Sequence, residues 1–448
     1  MMNSYKFHKM VINKRNINNI FYIFITVHLI VWTLVPTLTN TNLPLDTIEA
    51  LAWSSNLDWG FNKHPPASAF FVEIIYQIFG SQDWAYYFLS QIFVIISLYI
   101  VWKFSDNFFK NRIYSLISVL LLESIYFYNY TTPEFNVYIS ELPFWTLVVF
   151  YSWKSLIENS FKNWFLLGLF SGIGFLSHYL FSYLLISITL FFIYNFLKEK
   201  KFNFKSLIAL EIFIIIIIPH LIWLTQNDYI TITYGLHRTG SSSSNILNHI
   251  IYPFLYLIKQ LGILIPFLLL VSILVNKFKI RFSLKDKKLL FLLFVNFVPI
   301  ILITFTSLIS GAKIKTMWMT PFYLFIGLFF VYIFQTQINL KKIKTFFISF
   351  LFLFILSPSI YSTVSLSQDD KRTDYKGKKI AKNIQDEWKK DHKESINIVL
   401  GNEWEAGNLS YHLQSRPTWG GFVSKKKLDS LIKFTCIDNV CVGINEKN

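Results

Sequence analysis

The stretch that decides the fold is SLIALEIFIIIIIPHLIWL at residues 206–224, in which Glu211 is the one charged residue. A helix of this length and apolarity crosses the hydrocarbon core of a bilayer. Similar blocks recur along the 448 residues, which are 53% hydrophobic and 15% charged. A soluble protein carries about 25% charged residues. The chain is therefore predicted to be an α-helical polytopic membrane protein.

The apolar blocks predict eleven transmembrane helices within a membrane domain at residues 1–363. The first block is long and lacks a small-residue cleavage site, so it is interpreted as a retained helix and not as a signal peptide. The predicted spans are 17–38, 84–102, 113–127, 137–153, 163–177, 179–197, 206–224, 251–275, 289–309, 316–336 and 345–363.

The net charge of +16 comes mainly from residues in the loops between the predicted spans. Lys and Arg concentrate in alternate loops, which the positive-inside rule assigns to the cytoplasm. The charge is therefore a topology signal and not evidence for nucleic-acid binding. The N-terminus is predicted to be cytoplasmic, and the opposite loops and the C-terminal tail are predicted to be external. The external loops carry Lys63, Arg238, Lys313 and Lys315.

Residues 364–448 turn abruptly polar and predict a small external α/β domain. Helical spacing covers 376–391, a short buried strand covers 396–400, and a second helix covers 403–413. Cys436 and Cys441 are the two cysteines. They form either a disulfide across a hairpin in an oxidising compartment or two unpaired thiols in a short strand pair.

Unusual polar residues collect in five segments on the predicted external side. Ionisable groups beside a membrane are expensive to keep, and their convergence at one surface points to chemistry. The serine run at 241–244, in the loop between the seventh and eighth predicted spans, is predicted to be flexible and to become ordered only when substrate binds. The five segments are 45–66, 130–136, 176–179, 219–238 and 311–318.

The order of these segments resembles bacterial glycosyltransferase family 39, over about residues 40–320. The matching stretches are LDTIEA at 45–50, KHPP at 63–66, TPEFN at 132–136, PHLIWLTQND at 219–228 and GAK at 311–313. The family includes relatives of protein O-mannosyltransferases, the lipid A aminoarabinose transferase and lipopolysaccharide core galacturonosyltransferases, and it has the GT-C fold.

The resemblance implies a function in the bacterial inner membrane. A polyprenyl-phosphate sugar is the expected donor, and a lipid, glycan or protein is the expected acceptor. Transfer is expected to occur with inversion at the periplasmic face, with Asp46 as the general base. The chain departs from the family at two places. Many relatives have an adjacent acidic pair where Glu49 stands three residues beyond Asp46, and relatives often carry Lys at the position of His178.

The catalytic candidates are Asp46, Glu49 and Glu134. On a helix Asp46 and Glu49 share a face, so Glu49 would orient Asp46 or bind substrate. The alternatives are an N-cap at Asp46 and a capping box completed by Glu49. Glu134 is a second acid, a partner for a lysine, or, with Asn136, an oxygen ligand for a divalent cation. No spacing demands that cation.

Cationic and polar groups are expected to hold the substrate and its phosphate. The alternatives are lysines that extend to lipid headgroups, a loop-fixing role for His64, and satisfied helix ends at His178 and His220. The candidates are Lys63, His64, Asn136, His178, His220, Arg238, Lys313 and Lys315.

Two other classes of protein compete with this prediction. A transporter or flippase of lipid-linked intermediates would place ionisable residues midway along several spans and would show repeated halves. The sequence shows no such repeat, and Lys259 is the main ionisable exception within a span. A non-catalytic scaffold of the same fold would tolerate the loss of the Asp46 carboxylate. The expected partners are the donor, the acceptor and membrane lipids, with no nucleic acid.

Overall fold

The computed structural model describes residues 14–239, 245–279, 283, 285–437 and 439–445, and most of them are helical. Short 3₁₀ segments connect several helices, the longest at Thr316–Tyr323. The helices are α1 (Lys14–Thr39), α2 (Leu45–Ser54), α3 (Ala67–Phe79), α4 (Asp83–Ser105), α5 (Arg112–Leu120), α6 (Val137–Glu158), α7 (Phe161–Ser177), α8 (Phe181–Glu199), α9 (Ser206–Gln226), α10 (Ile230–Arg238), α11 (Asn248–Leu274), α12 (Lys287–Ser310), α13 (Ile326–Phe334), α14 (Ile343–Ser367), α15 (Gly377–Asp391), α16 (Glu405–His412) and α17 (Lys425–Leu428).

Within the described ranges, seven helices are long and apolar enough to cross a membrane, namely α1, α4, α8, α9, α11, α12 and α14. A helix pair bent by 51°, Thr316–Tyr323 with Ile326–Gln337, makes an eighth if it acts as one span. The predicted polytopic helical class is confirmed. The predicted count of eleven is not confirmed and stays a prediction.

The predicted span at 113–127 differs most from the structure. Its helix α5 has nine residues and then gives way to 3₁₀ turns at Leu121–Ser124 and Tyr126–Tyr128. The amide of Asn129 donates to the backbone carbonyl of Glu123 within this segment. A chain that turns here is too short to cross the bilayer as a single helix. The spans at 137–153 and 163–177 correspond to α6 and to the 17-residue α7.

The first external segment contains two helices. Pro44 precedes α2, and Pro66 precedes α3. Proline is tolerated at a helix start because the N–H that it lacks would have no partner within the helix. Residues Thr47 to Ser54 of α2 are almost all buried, so this segment is a packed part of the protein.

The C-terminal domain contains a four-stranded sheet with strand order β2-β1-β4-β3. The strands are β1 (Ile398–Leu400), β2 (Thr418–Trp419), β3 (Leu431–Ile437) and β4 (Val440–Asn445). Strand β1 is parallel to β2 and antiparallel to β4, and β3 is antiparallel to β4. Cys436 pairs with Cys441 across β3 and β4, and the two sulfurs form a disulfide. The predicted helices at 376–391 and 403–413 correspond to α15 and α16.

The C-terminal domain is docked directly on α2. A Cβ atom added at Gly407 would lie 3.0 Å from the Ile48 side chain and 3.1 Å from Ala52. This close approach brings the backbone of α16 against α2, because glycine has no side chain in the way. Arg416 donates to the carbonyl of Leu51 at 2.8 Å. The domain therefore packs against the helix that carries the first two acidic candidates.

Candidate functional site

A cavity of about 320 Å³ lies where the external segments meet. Its walls come from α2, the loop before α3, the segment joining α7 to α8, α10, and the chain from the end of α12 to Trp318. Four of the five segments predicted to be external therefore line one cavity, and the fifth, 130–136, contacts it through the hydrogen bond between Glu134 and the backbone of Asp46. The sequence-predicted residues that line the cavity are Asp46, Glu49, Lys63, His64, His178 and Arg238.

The N-terminus of α2 brings two carboxylates together. Asp46 lies in the first helical turn, and Pro44 occupies the N-cap position. The N-cap alternative for Asp46 is therefore wrong, because the helix begins one residue earlier. The backbone N–H of Asp46 donates to Oε1 of Glu134 at 2.9 Å. Glu134 thus accepts a hydrogen bond from a backbone donor at the helix end that has no partner within the helix.

Both carboxyl groups are held in a poorly solvated place. Burial raises the pKa of Asp46, while the charges of Arg238 and Lys63 oppose this rise. Burial also raises the pKa of Glu134, and the negative charge of Asp46 adds to it. Glu134 does not line the cavity and stands behind Asp46. Asp46 is therefore the member of this pair that lines the cavity, and Glu134 binds the start of the helix that carries it.

Lys63 lies between two carboxylates. Its Nζ donates to Oε1 of Glu49 at 2.8 Å and lies 3.3 Å from Oε1 of Glu403. Burial alone would lower the pKa of Lys63, but the charge and hydrogen bond of Glu49 and the charge of Glu403 outweigh it, so the pKa is raised. The ammonium is therefore charged at neutral pH. The capping-box alternative for Glu49 is wrong, since its carboxylate is engaged with Lys63.

Two histidines form one side of the cavity. The rings of His64 and His178 lie 5.8 Å apart, and the ring of Tyr138 lies 5.0 Å from His178. Burial lowers the pKa of His178 to about 3, and burial together with the positive charges of Arg238 and Lys63 lowers the pKa of His64 well below its usual value. Both rings are therefore neutral at physiological pH, and they offer hydrogen bonds to a substrate without adding positive charge.

Two predicted binding residues have structural roles. His220 uses both ring nitrogens within the protein, with the hydroxyl of Tyr179 at 2.7 Å and the carbonyl of Trp59 at 2.6 Å. Asn136 caps α6, where its Oδ1 accepts the backbone N–H groups of Tyr138 and Ile139 at 3.1 Å. Neither residue lines the cavity. The structure thus favours the satisfied-terminus alternative for His220 and corrects the binding role predicted for Asn136.

Three predicted cations remain, of which Arg238 lines the cavity and Lys313 and Lys315 adjoin the lining residues Ala312 and Ile314. Arg238, at the end of α10, donates to the hydroxyl of Tyr234, and its guanidinium lies 5.6 Å from that ring centre. Lys315 is half-buried, and burial and the charge of Arg238 lower its pKa. Lys313 is exposed, and its backbone N–H donates to the carbonyl of Thr239. Neither lysine lines the cavity. The serine run at 241–244 lies outside the described residues.

The divalent cation considered for Glu134 and Asn136 has no ready ligand set. In the ranges that the structure describes, no group of three or more His, Cys, Asp or Glu side chains is arranged to hold a metal ion. The oxygens that would serve are engaged elsewhere, since Asn136 caps α6 and Glu134 binds the N-terminus of α2.

Several residues of the site were not predicted from sequence. Glu403 is the most important, and its position two residues after the strand-ending Gly401 is the signal that could have marked it. The cavity is also lined by aromatic side chains, which in a chain so rich in them carry no distinguishing signal. Deeper groups are the buried pair His28–Glu123, 3.1 Å apart, and Glu141, whose Oε1 lies 3.5 Å from Nδ1 of His178. The aromatic side chains that line the cavity are those of Tyr138, Tyr179, Tyr183, Tyr234 and Trp318.

Comparison with known proteins places this site in context. Residues 63–223 match the dolichyl-phosphate-mannose-protein mannosyltransferase family model. That region contains Lys63, His64 and His178 but ends before Arg238 and begins after Asp46. The chain is 31% identical over 144 residues to the undecaprenyl phosphate-alpha-4-amino-4-deoxy-L-arabinose arabinosyl transferase of Wigglesworthia glossinidia brevipalpis. This match covers 31% of the chain and 25% of that relative.

The fold resembles that of a solved transferase over most of the chain. ArnT from Cupriavidus metallidurans bound to undecaprenyl phosphate aligns with a TM-score of 0.58 and 13% identity, covering 91% of this chain and 86% of that one. Its apo state aligns with a TM-score of 0.56 and 13% identity, covering 90% and 86%. The family model and the curated relative show that part of this chain is similar to lipid-phosphate-sugar glycosyltransferases, and the structural matches show that the chain shares the fold of ArnT.

Proposed function

We propose that the protein transfers a monosaccharide from a polyprenyl-phosphate donor to a lipid, glycan or protein acceptor. The reaction takes place at the periplasmic face of the bacterial inner membrane, with inversion and with Asp46 as the general base. The observation that carries this proposal is the single cavity of about 320 Å³ that is lined by the carboxylate of Asp46 and the cations of Lys63 and Arg238.

The chemistry uses these groups in one displacement. Asp46 takes the proton of the acceptor hydroxyl as its oxygen attacks the anomeric carbon of the sugar. The bond from that carbon to the phosphate oxygen breaks on the opposite face, so the configuration inverts. Lys63 and Arg238 stabilise the negative charge that develops on the leaving polyprenyl phosphate. Burial raises the pKa of Asp46, which makes it a stronger base once it is ionised.

Apolar space beside the cavity supports a lipid-linked donor. The cavity reaches Leu180 and Tyr183 at the start of α8. A second cavity of about 300 Å³ follows along α8 from Ser182, and a third of about 360 Å³ shares Leu185 and Phe213 with it. These spaces lie between α8 and α9 and are lined mainly by apolar side chains. An isoprenoid chain attached to a phosphate in the first cavity has an apolar path along α8.

The test is in vitro transfer from a panel of polyprenyl-phosphate sugars, with wild-type protein compared with Asp46→Asn. Loss of the base is expected to reduce kcat by about 100- to 10,000-fold. Binding of undecaprenyl phosphate is expected to remain, because Lys63 and Arg238 are unchanged. Asp58→Asn serves as the matched control, since Asp58 lies in the same external segment, accepts from Trp223, and does not line the cavity.

Two results would count against the proposal. Transfer by Asp46→Asn at the wild-type rate would exclude Asp46 as the base. Absence of transfer by the wild-type protein from every donor, with the protein folded, would favour the scaffold alternative.

A further inference from the structure

The side chain of Glu403, in the C-terminal domain, contacts Lys63, which lines the cavity. Glu403 lies in the turn between β1 and α16 and is 4% exposed. Its Oε1 accepts from the amide of Asn62 at 2.7 Å and lies 3.3 Å from Nζ of Lys63. A carboxylate is seldom buried to this degree unless it is paired. The partner that justifies its burial is a cavity-lining lysine on a different part of the chain.

The turn that carries Glu403 is rigidly built. The Oδ1 atom of Asn402 accepts the backbone N–H groups of Trp404 and Glu405 at 3.0 and 2.8 Å, which fixes the start of α16. The backbone N–H of Gly401 donates to the carbonyl of Gly421 at 2.9 Å. Gly401 has a φ of 153°, a value that glycine adopts more readily than other residues. The position of Glu403 is therefore set by the fold of its own domain.

That domain is in turn fixed to the helices of the site. Arg416 donates to the carbonyl of Leu51 at 2.8 Å and to the hydroxyl of Ser54 at 2.9 Å, both on α2. Its guanidinium stacks 4.1 Å from the ring centre of Tyr76 on α3. The backbone N–H of Trp419 donates to the Ser55 hydroxyl at 2.8 Å. Glu403 and Glu49 are thus held at fixed places on either side of Lys63.

Two carboxylates determine where the Lys63 ammonium sits. An ammonium has three donor hydrogens on a flexible four-carbon chain, so it needs more than one acceptor to occupy a single position. Glu49 and Glu403 supply two, and the third hydrogen is available to an acceptor in the cavity. The exposed fractions of the three side chains are 16% for Lys63, 13% for Glu49 and 5% for Glu403, so water competes little for these contacts.

We propose that Glu403 is a positioning residue that holds Lys63 in place for the donor phosphate, so that the C-terminal domain completes the site. This inference rests on the proposed function. Without Glu403, the ammonium keeps only Glu49 as a carboxylate partner and is no longer held at a single position. The carboxylate also contributes to the raised pKa of Lys63. Its removal therefore lowers that pKa and reduces the protonated fraction at alkaline pH.

The test measures binding of undecaprenyl phosphate to the purified full-length protein in detergent. Glu403→Ala is expected to weaken binding by about ten-fold, the effect of misplacing one charge-assisted hydrogen bond. Glu403→Gln retains an acceptor for Asn62 and Lys63 and is expected to recover most of the affinity. The alkaline loss of binding is expected at lower pH in Glu403→Ala than in the wild type. Glu405→Ala, in the same turn but bonded to Asn402, is the matched control and is expected to bind like the wild type.

The outcomes separate this inference from the function on which it rests. If the wild-type protein binds undecaprenyl phosphate, and Glu403→Ala binds it equally well with an unchanged pH profile, the inference alone is overturned. A Glu403→Gln variant as weak as Glu403→Ala also overturns it, because a lost acceptor would then not be the cause. Absence of binding by the folded wild-type protein overturns the polyprenyl-phosphate donor, and the inference with it.

Discussion

At the scale of single residues, the site depends on charges that the protein keeps poorly solvated. Asp46 and Glu134 meet at the start of α2, and Lys63 sits between Glu49 and Glu403. Burial raises the pKa of both members of the first pair. The same burial strengthens the attraction between Asp46 and the charges of Arg238 and Lys63, because charges attract more strongly where water is excluded.

Replacing Arg238 with Gln is expected to shift the pH dependence of transfer. Burial raises the pKa of Asp46, and the charge of Arg238 is the largest influence that lowers it. Asp46 must be ionised to act as a base, so activity falls as the pH drops through its pKa. Loss of the positive charge raises that pKa and moves the acidic limb of kcat/KM to higher pH, by up to about one unit.

The matched variant is Arg238→Lys, which keeps the charge and is expected to retain the wild-type limb. A profile for Arg238→Gln that coincides with the wild type would show that Arg238 does not act on the titrating group.

Sequence reasoning identified the cavity-facing residues well, for a physical reason. A membrane chain keeps few ionisable groups in its external loops, and six of the predicted residues line one cavity. It could not identify Glu403, which is 341 residues away from its partner Asn62. It predicted binding roles for His220 and Asn136, which do not line the cavity, because a polar side chain with partners inside the protein and one that binds a ligand look alike in sequence. Their structural partners distinguish them.

At the scale of elements, the packing of α16 on α2 is the contact on which the site depends. Gly407 allows the two helices to approach, and the space beside it is already filled by Ile48 and Ala52.

The prediction of helices and spans from apolar periodicity was accurate for α1, α4, α8, α9, α11, α12 and α14. It failed at α5, because hydropathy averages over the buried Glu123 and Asn129 and does not detect a turn in a buried segment.

Gly407→Val is expected to loosen the C-terminal domain. The added side chain would enter a filled space, and overpacking of this kind costs about 1–3 kcal/mol. Thermal unfolding in detergent is expected to occur at lower temperature, and limited proteolysis between α14 and α15 is expected to be faster. Gly262→Val on α11, where nothing lies within 4 Å of the added Cβ, is the control. Equal unfolding temperatures for both variants would contradict a tight α16–α2 contact.

At the scale of the whole molecule, the helices carry the candidate site beside the C-terminal domain. The cavity, helices α2 and α3 and the C-terminal domain lie together. The basic loops are predicted to lie on the opposite side of the membrane. The buried His28–Glu123 pair shows that the interior also contains ionisable groups, which the sequence analysis had placed almost entirely in external loops.

The predicted orientation is tested by labelling single cysteines with a membrane-impermeant reagent in a Cys436→Ser/Cys441→Ser background. Lys110→Cys lies in the loop between α4 and α5, and Lys425→Cys lies on α17 of the C-terminal domain. Both positions are exposed. Lys425→Cys is expected to react from the periplasm, and Lys110→Cys only after the membrane is opened. Labelling of both from one side would remove the basis for a periplasmic site.

The contact between Arg416 and Leu51 has a consequence for how the protein is made. The two residues are separated by 365 positions in the chain. The ribosome therefore synthesises helices α1 to α14 before it synthesises Arg416, the residue that binds α2. During that time α2 and Lys63 are present without Arg416 or Glu403. The contacts of Arg416 with α2 and of Glu403 with Lys63 can therefore form only after these helices have been synthesised.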